Sequence, residues 1–123
     1  MKKTFPLKLK RAYEAPEAAD GVRILVDRLW PRGTSKDSIR IGLWLKEIAP
    51  SHALRKWFAH DVAKWPIFRG RYFKELDGNP EAVAKLREQM RRGTVTLVYG
   101  AKDREHNQAV ALAEYLVTKQ ARA

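Results

Sequence analysis

Two short apolar runs, separated by a long region of helical character, constrain the fold of this chain more than any other feature of its sequence. The first, VRILV, covers residues 22–26, and the second, TVTLVYG, covers residues 94–100. Strands that are apolar on both faces are typical of parallel sheets with helices packed over them. Strands separated by helices favour an α/β layer structure. We therefore expect an α/β fold with a largely parallel sheet in two or three layers.

The N-terminal region predicts one further strand. Leucine alternates with lysine in LKLKRAY, residues 7–13, which is typical of a half-exposed strand. The loop at residues 14–21 is shorter than the dozen or so residues that a parallel crossover needs. If the first two strands are neighbours, they should therefore be antiparallel. Residues 39–48 match both helical and strand spacing, and their structure is left open.

Four helices are predicted from their start signals and apolar stripes. Ser51 can cap the first. The second should begin near residues 63–65, because Pro66 is tolerated only in a first turn. Asn79–Pro80 supplies a cap and a first residue for the third. The last helix should cover about residues 105–118.

Composition limits the classes of protein that this chain can belong to. Its 123 residues suit a single domain, residues 1–123. The absence of cysteine excludes disulfides, thiolate metal sites and cysteine nucleophiles. No secretory signal and no apolar run of ~18 residues is present, so we expect a cytoplasmic protein with no membrane partner. The net charge of +11 favours anionic partners, either small molecules or nucleic acid.

The carboxyl end of the first apolar run is the first candidate site, because α/β sheets bind ligands outside the carboxyl ends of their strands. Arg28 and Arg32 could converge there on one anion, each contact contributing roughly 1.5–3 kcal/mol if desolvated. Asp27 ends a buried strand, so it should be hydrogen-bonded or ion-paired. An architectural interpretation is equally open for Asp27, which would cap the turn and pair with an arginine, and it is favoured for Trp30, which would be a wedge at the sheet edge. We predict Asp27, Arg28, Trp30 and Arg32 as ligand-binding residues.

The second apolar run ends in YGAKDREHNQA, which is also rich in polar groups. Lys102 and Asn107, together with the positive end of a helix, would attract an anion. His106 could exchange a proton in its neutral form, although a solvent-facing first-turn residue is the plainer interpretation. Asp103 is a reasonable helix cap and a weaker catalytic candidate. The two strand ends form one site only if the two strands are adjacent.

His60, at the junction of two predicted helices, is a third acid/base candidate, with helix capping as its alternative role. His52, His60 and His106 do not have the spacing of metal ligands, so no metal is expected. No GxSxG elbow, Walker A loop or GxGxxG fingerprint is present, so no cofactor is expected. The residues identify no reaction, and whether the protein is an enzyme stays open.

Three segments together resemble a known family. Residues Ile24–Gly33, Ala49–Asp61 and Val95–Ala109 are similar to signature strings of the bacterial YeaO-like family, a small domain of unknown function. The resemblance covers about Phe5–Leu116, and it departs at Gly100, where alanine is expected. It implies a cytosolic single-domain α/β protein, and a related branch carries cysteines that this chain lacks. The signature positions that it implies are Asp27, Arg28, Trp30, Pro31, Arg32, Gly33, Trp57, Phe58, His60, Asp61, Asp103, His106 and Asn107.

The sequence thus predicts a polar pocket for a small anionic molecule that bears a phosphate or a carboxylate. The motivating feature is the excess of polar groups at both strand ends. A basic nucleic-acid-binding protein is the alternative, and it would lose roughly 10³- to 10⁵-fold in affinity between 50 and 200 mM salt. A module that binds a partner through exposed Trp30 or Trp44 is a third interpretation.

Overall fold

The computed structural model describes the backbone of residues 5–120 and the side chains of residues 5–118. In this part of the chain, four parallel strands form one sheet in the order β1-β4-β2-β3. The strands are β1 (Leu7–Arg11), β2 (Val22–Leu25), β3 (Leu43–Trp44) and β4 (Val95–Tyr99). The helices are α1 (Lys36–Ile39), α2 (His52–Phe58), α3 (Trp65–Asp77), α4 (Pro80–Arg92) and α5 (Gln108–Gln120), and short 3₁₀ turns cover Ala18–Asp20, Lys46–Ile48 and Val62–Lys64. The expected single α/β domain with a largely parallel sheet is confirmed.

The N-terminal strand is parallel, which corrects the antiparallel alternative. β4 lies between β1 and β2 and pairs with both, so that Leu97 is opposite Leu9 on one side and Ile24 on the other. Because β1 and β2 are not neighbours, the connection between them is not a tight turn. Residues 12–21 return along the sheet, and ten residues can span about 33 Å, twice the ~17 Å of a five-residue strand.

Polar contacts fix this returning segment to the sheet. The carboxylate of Asp20 accepts hydrogen bonds from Arg23 Nη1 at 2.7 Å and from Lys10 Nζ at 3.1 Å. Gly21 has φ +65°, and a Cβ built there would lie 2.1 Å from the carbonyl oxygen of Thr94. Only glycine allows this close approach, which brings the start of β2 against the start of β4.

The larger core lies between one face of the sheet and helices α2 to α5. Phe58, Phe68 and Tyr72 stack in sequence there, with ring centroids 4.3 and 6.0 Å apart. A smaller cluster on the other face contains Leu25 and Val98 with the partly buried Trp44. The fold is therefore one thick helical layer on the sheet with a thin cover opposite.

Most helix starts agree with the sequence signals. Ser51 Oγ accepts from the N–H of Leu54, and α3 begins at Trp65 with Pro66 in its first turn. Pro80 is the first residue of α4, but the Asn79 side chain makes no capping bond and donates instead to the carbonyl of Glu47. Residues 39–48 resolve into the end of α1, the short β3 and a 3₁₀ turn.

The start of the last helix differs from the prediction. α5 begins at Gln108, because Asn107 is its cap and accepts from the N–H of Val110 at 3.0 Å. Asp103 caps the preceding turn instead, accepting from the N–H groups of Glu105 and His106. His106 therefore lies just before the helix rather than in its first turn. A local pattern cannot choose between two capping residues four positions apart, because each can accept from the free N–H groups of a helix that begins just after it.

Candidate functional site

The two polar strand ends meet at the carboxyl edge of the sheet, because β2 and β4 are neighbours. Asp27 bridges them, since its Oδ2 accepts from the backbone N–H of Gly100 at 2.9 Å. Its Oδ1 accepts from the side-chain amide of Gln108, at the start of α5. A Cβ at position 100 would lie 3.1 Å from Asp27 Oδ2, which is tighter than usual. The glycine that departs from the expected alanine thus gives the carboxylate room to approach the backbone.

The surroundings of Asp27 disfavour its charged form. Burial raises the pKa of this carboxyl from 3.8 to about 6. The Gly100 N–H, the Arg55 guanidinium and the Gln108 amide each oppose this rise by stabilising the carboxylate. Asp27 is therefore hydrogen-bonded, as expected for a carboxyl group at the end of a buried strand, but its bonds go to amides.

A cavity of about 760 Å³ opens beside Asp27. Its walls combine apolar surface from Phe58, Phe68 and Pro50 with a strongly basic set of side chains. The basic and histidine residues that line it are Arg28, Arg32, His52, Arg55, Lys56, His60 and His106. Asp27 is the single carboxylate among its lining residues in the described part of the chain. The cavity is therefore a concave site of positive charge at the predicted end of the sheet.

Two arginines of this wall carry buried polar atoms without partners. The Nε atoms of Arg28 and Arg55 are inaccessible to solvent, and neither has a hydrogen-bond partner among residues 5–120. Arg28 Nη2 makes one long contact of 3.4 Å with the carbonyl oxygen of Ala49. Buried donors are normally satisfied, so two unpaired guanidinium nitrogens at one cavity are unusual.

Arg32 and Trp30 have different places in the site. Arg32 is exposed at the rim of the cavity, and its carbonyl oxygen accepts from the Tyr13 hydroxyl at 3.0 Å. Trp30 is partly buried, donates to the carbonyl of Thr34 at 2.9 Å and packs edge-on against Trp44 at 5.3 Å. The indole of Trp30 thus stabilises the turn, and Trp30 is also one of the residues that line the cavity. The exposed tryptophan that a partner-binding module requires is not found at either position.

Some residues of the second strand end line the cavity, and others hold the lining residues in place. His106 lines the cavity, with its ring edge-on to Trp65 at 5.4 Å and its Nδ1 3.0 Å from Asp103 Oδ2. The N–H of Glu105, followed by the side chain and the N–H of His106, holds the pKa of Asp103 below its usual value. Asn107 is buried and donates to the carbonyl of Asp103 at 2.8 Å. Lys102 is exposed, and neither Lys102 nor Asp103 is among the cavity-lining residues in the described chain.

His60 also lines the cavity and has an unusual backbone conformation. It has φ +59°, and the preceding Ala59, which ends α2, has φ +46°. Two successive non-glycine residues in the left-handed region are rare, and such conformations are concentrated at functional sites. The His60 side chain is exposed and its ring centroid is 6.3 Å from that of Phe58. It lines the same cavity as His106, and no hydrogen bond between these two histidines is present in the described part of the chain.

Sequence reasoning missed Arg55, Lys56 and Gln108. Arg55 lies three positions before the buried Phe58, so both side chains share one face of α2. The three-residue spacing between Arg55 and Phe58 could therefore have identified Arg55 from the sequence. Gln108 carried no signal, because its partner Asp27 is 81 residues away in the sequence.

No three histidine or acidic side chains in the described chain are close enough together to hold a metal ion. No helix among the described residues has the length and apolar character needed to cross a bilayer.

Comparison with known proteins gives the family of this chain. A family model described as the inactive DUF488-N3 subclade matches residues 6–123. The uncharacterised protein YeaO of Escherichia coli is 41% identical over 110 residues, which are 89% of this chain and 96% of that protein. Uncharacterised proteins of Mycobacterium bovis and Mycobacterium tuberculosis are each 39% identical over 110 residues, covering 89% of this chain and 92% of theirs. No solved structure matches. The resemblance seen in the three sequence segments is therefore confirmed, and the chain belongs to the YeaO-like proteins of the inactive DUF488-N3 subclade.

Proposed function

We propose that this protein binds a small anionic molecule, bearing a phosphate or a carboxylate, in the cavity beside Asp27. The observation that carries the proposal is the pair of buried Nε atoms of Arg28 and Arg55, which lack partners among the described residues. Both guanidinium groups line the cavity, so their other N–H groups would donate to an anion there, and its negative charge would offset the cost of the buried Nε atoms that have no acceptor. Arg32 at the rim would add attraction at longer range.

The dimensions of the cavity support a small ligand. Its volume of about 760 Å³ falls in the range of roughly 300–1,000 Å³ that is usual for small-molecule sites. A concave site supports a small ligand more directly than nucleic acid, the alternative raised by the net charge of +11.

The family description favours binding over turnover. The subclade is described as inactive, and this supports a protein that holds its ligand without converting it. His106 and His60 then act as polar walls of the pocket, and Asp103 positions His106. Binding measurements rather than activity assays are accordingly the direct test.

Calorimetric titration with inorganic phosphate and with malonate tests the proposal. Wild type should bind at least one of them, and Arg28→Gln and Arg55→Gln should each weaken that binding by about 10- to 150-fold, the effect of one hydrogen bond to a charged group. Arg92→Gln removes the same charge from an exposed side chain of α4 and is the matched control, with affinity within about twofold of wild type.

Stability measurements separate a binding role from an architectural one. Both arginines are partly buried and each has an Nε without a partner, so their removal should cost little, and Arg28→Gln and Arg55→Gln should unfold near the wild-type temperature. Variants that do not fold would make the two arginines architectural and contradict the proposal. A wild-type protein that binds neither anion would also contradict it.

A further inference from the structure

Asp27 poses a chemical problem for any anion in this cavity. Asp27 lines the same cavity as Arg28 and Arg55, and the Arg55 guanidinium is near enough to stabilise its carboxylate, so an anion held by these arginines would be close to Asp27. Two negative groups in contact repel each other strongly where water is excluded. For a ligand that only accepts hydrogen bonds, repulsion by Asp27 would therefore cancel much of the binding free energy that the arginines supply.

The carboxylate of Asp27 retains unused capacity to accept hydrogen bonds. Each of its oxygens accepts one bond, Oδ2 from the Gly100 N–H and Oδ1 from the Gln108 amide. An ionised carboxylate offers about four lone-pair positions, so about two are left. Gly100 and Gln108 also line the cavity, which places this acceptor and its two donors at the cavity surface.

The described cavity wall thus offers two kinds of partner. The guanidinium groups of Arg28 and Arg55 can donate to an acceptor, and Asp27 can accept from a further donor. An oxyanion that keeps one O–H satisfies both requirements at once. A charge-assisted O–H···O⁻ bond is among the stronger hydrogen bonds in proteins.

We propose that the site selects a phosphate group that retains an O–H, with the hydroxyl donating to Asp27 and the other oxygens accepting from Arg28 and Arg55. This inference rests on the proposed function and adds the ligand class and the residue that selects it. Sulfate has the same shape and the same double negative charge as hydrogen phosphate, but it has no hydrogen to donate. The site should therefore discriminate between two ions that a purely electrostatic pocket treats alike.

The experiment compares inorganic phosphate, sulfate and methyl phosphate by calorimetric titration at pH 7.5 in a buffer free of other oxyanions. Hydrogen phosphate should bind at least about tenfold more tightly than sulfate, the effect of one hydrogen bond to a charged group. Methyl phosphate distinguishes a free ion from an ester. Phosphate monoesters lose their second proton near pH 6, so methyl phosphate at pH 7.5 should bind nearly as weakly as sulfate.

Asp27→Asn removes the selecting carboxylate while preserving its size. An asparagine can donate as well as accept, so the preference for phosphate over sulfate should fall to within about threefold. Asp37→Asn, an exposed carboxylate on α1, is the matched control and should keep the wild-type preference. The wild-type comparison alone tests the inference if Asp27→Asn does not fold.

The outcomes distinguish the inference from the proposed function. A wild type that binds phosphate and sulfate equally would overturn the selection by Asp27 and leave anion binding intact. Methyl phosphate binding as tightly as hydrogen phosphate at pH 7.5 would likewise overturn it. Asp27→Asn with an unchanged preference would show that another group selects the ion. A wild type that binds none of the anions, malonate included, would overturn the proposed function itself.

Discussion

Asp27→Asn should also change how the stability of the folded protein depends on pH. Burial raises the pKa of Asp27 from 3.8 to about 6 in the folded protein. Unfolded chains therefore ionise this group more readily than folded ones. Protonated Asp27 therefore contributes to the unfolding free energy of the wild type. This contribution is fully present well below pH 4 and is lost as the pH rises through about 6.

The size of this effect follows from the two pKa values. Each pKa unit corresponds to roughly 1.4 kcal/mol, so the wild type should lose about 3 kcal/mol of unfolding free energy at this residue. Most of the loss falls between pH 4 and 6. Asparagine does not ionise, so the variant escapes the loss. The substitution also alters the hydrogen bonds to Gly100 and Gln108. Any cost of that change is present at every pH, so it cancels when the stability difference between variant and wild type is compared from one pH to another.

Urea denaturation of both proteins at several pH values between 4 and 7.5, in buffers without phosphate or sulfate, measures the effect. The unfolding free energy of Asp27→Asn relative to wild type should rise by about 2.5 kcal/mol across this range, because a small part of the loss has already occurred at pH 4. Asp37→Asn should show no such rise, because its carboxylate is exposed. A relative stability that is constant across the range would refute the argument from burial. A relative stability that falls with pH would show that Arg55 stabilises the charged form more than burial opposes it.

Two further predictions concern the groups that support the site. Asn107→Ala should lower the unfolding free energy by about 1–2 kcal/mol, because it removes the cap at the N–H of Val110; urea denaturation measures this, and an unchanged midpoint would contradict the capping role. Tyr72→Phe should cost about 1–3 kcal/mol, because the carbonyl oxygen of Ile48 would lose a buried bond of 2.6 Å. The same denaturation experiment tests it, and a fully stable variant would show that this carbonyl is satisfied elsewhere.

The sequence by itself determined the features whose causes are local. The two apolar runs predicted β2 and β4 because strands covered on both faces need apolar side chains throughout. Ser51 and Pro80 predicted helix starts because a capping hydroxyl and a proline act within one helical turn. The rule for parallel sheets then led to the two strand ends, and with them to Asp27 and Arg28.

The tertiary structure decided what depends on contacts between distant residues. The position of β4 between β1 and β2 made the N-terminal strand parallel, and no local pattern contains the strand order. The folding of α2 against the sheet brought Arg55 to the cavity, and the start of α5 brought Gln108 to Asp27. The spacing of apolar and polar residues along the sequence indicates local conformation. The contacts that a side chain makes depend instead on how whole helices and strands pack. The candidate site is therefore half visible in the sequence, and the other half exists only because two strand ends and two helices meet.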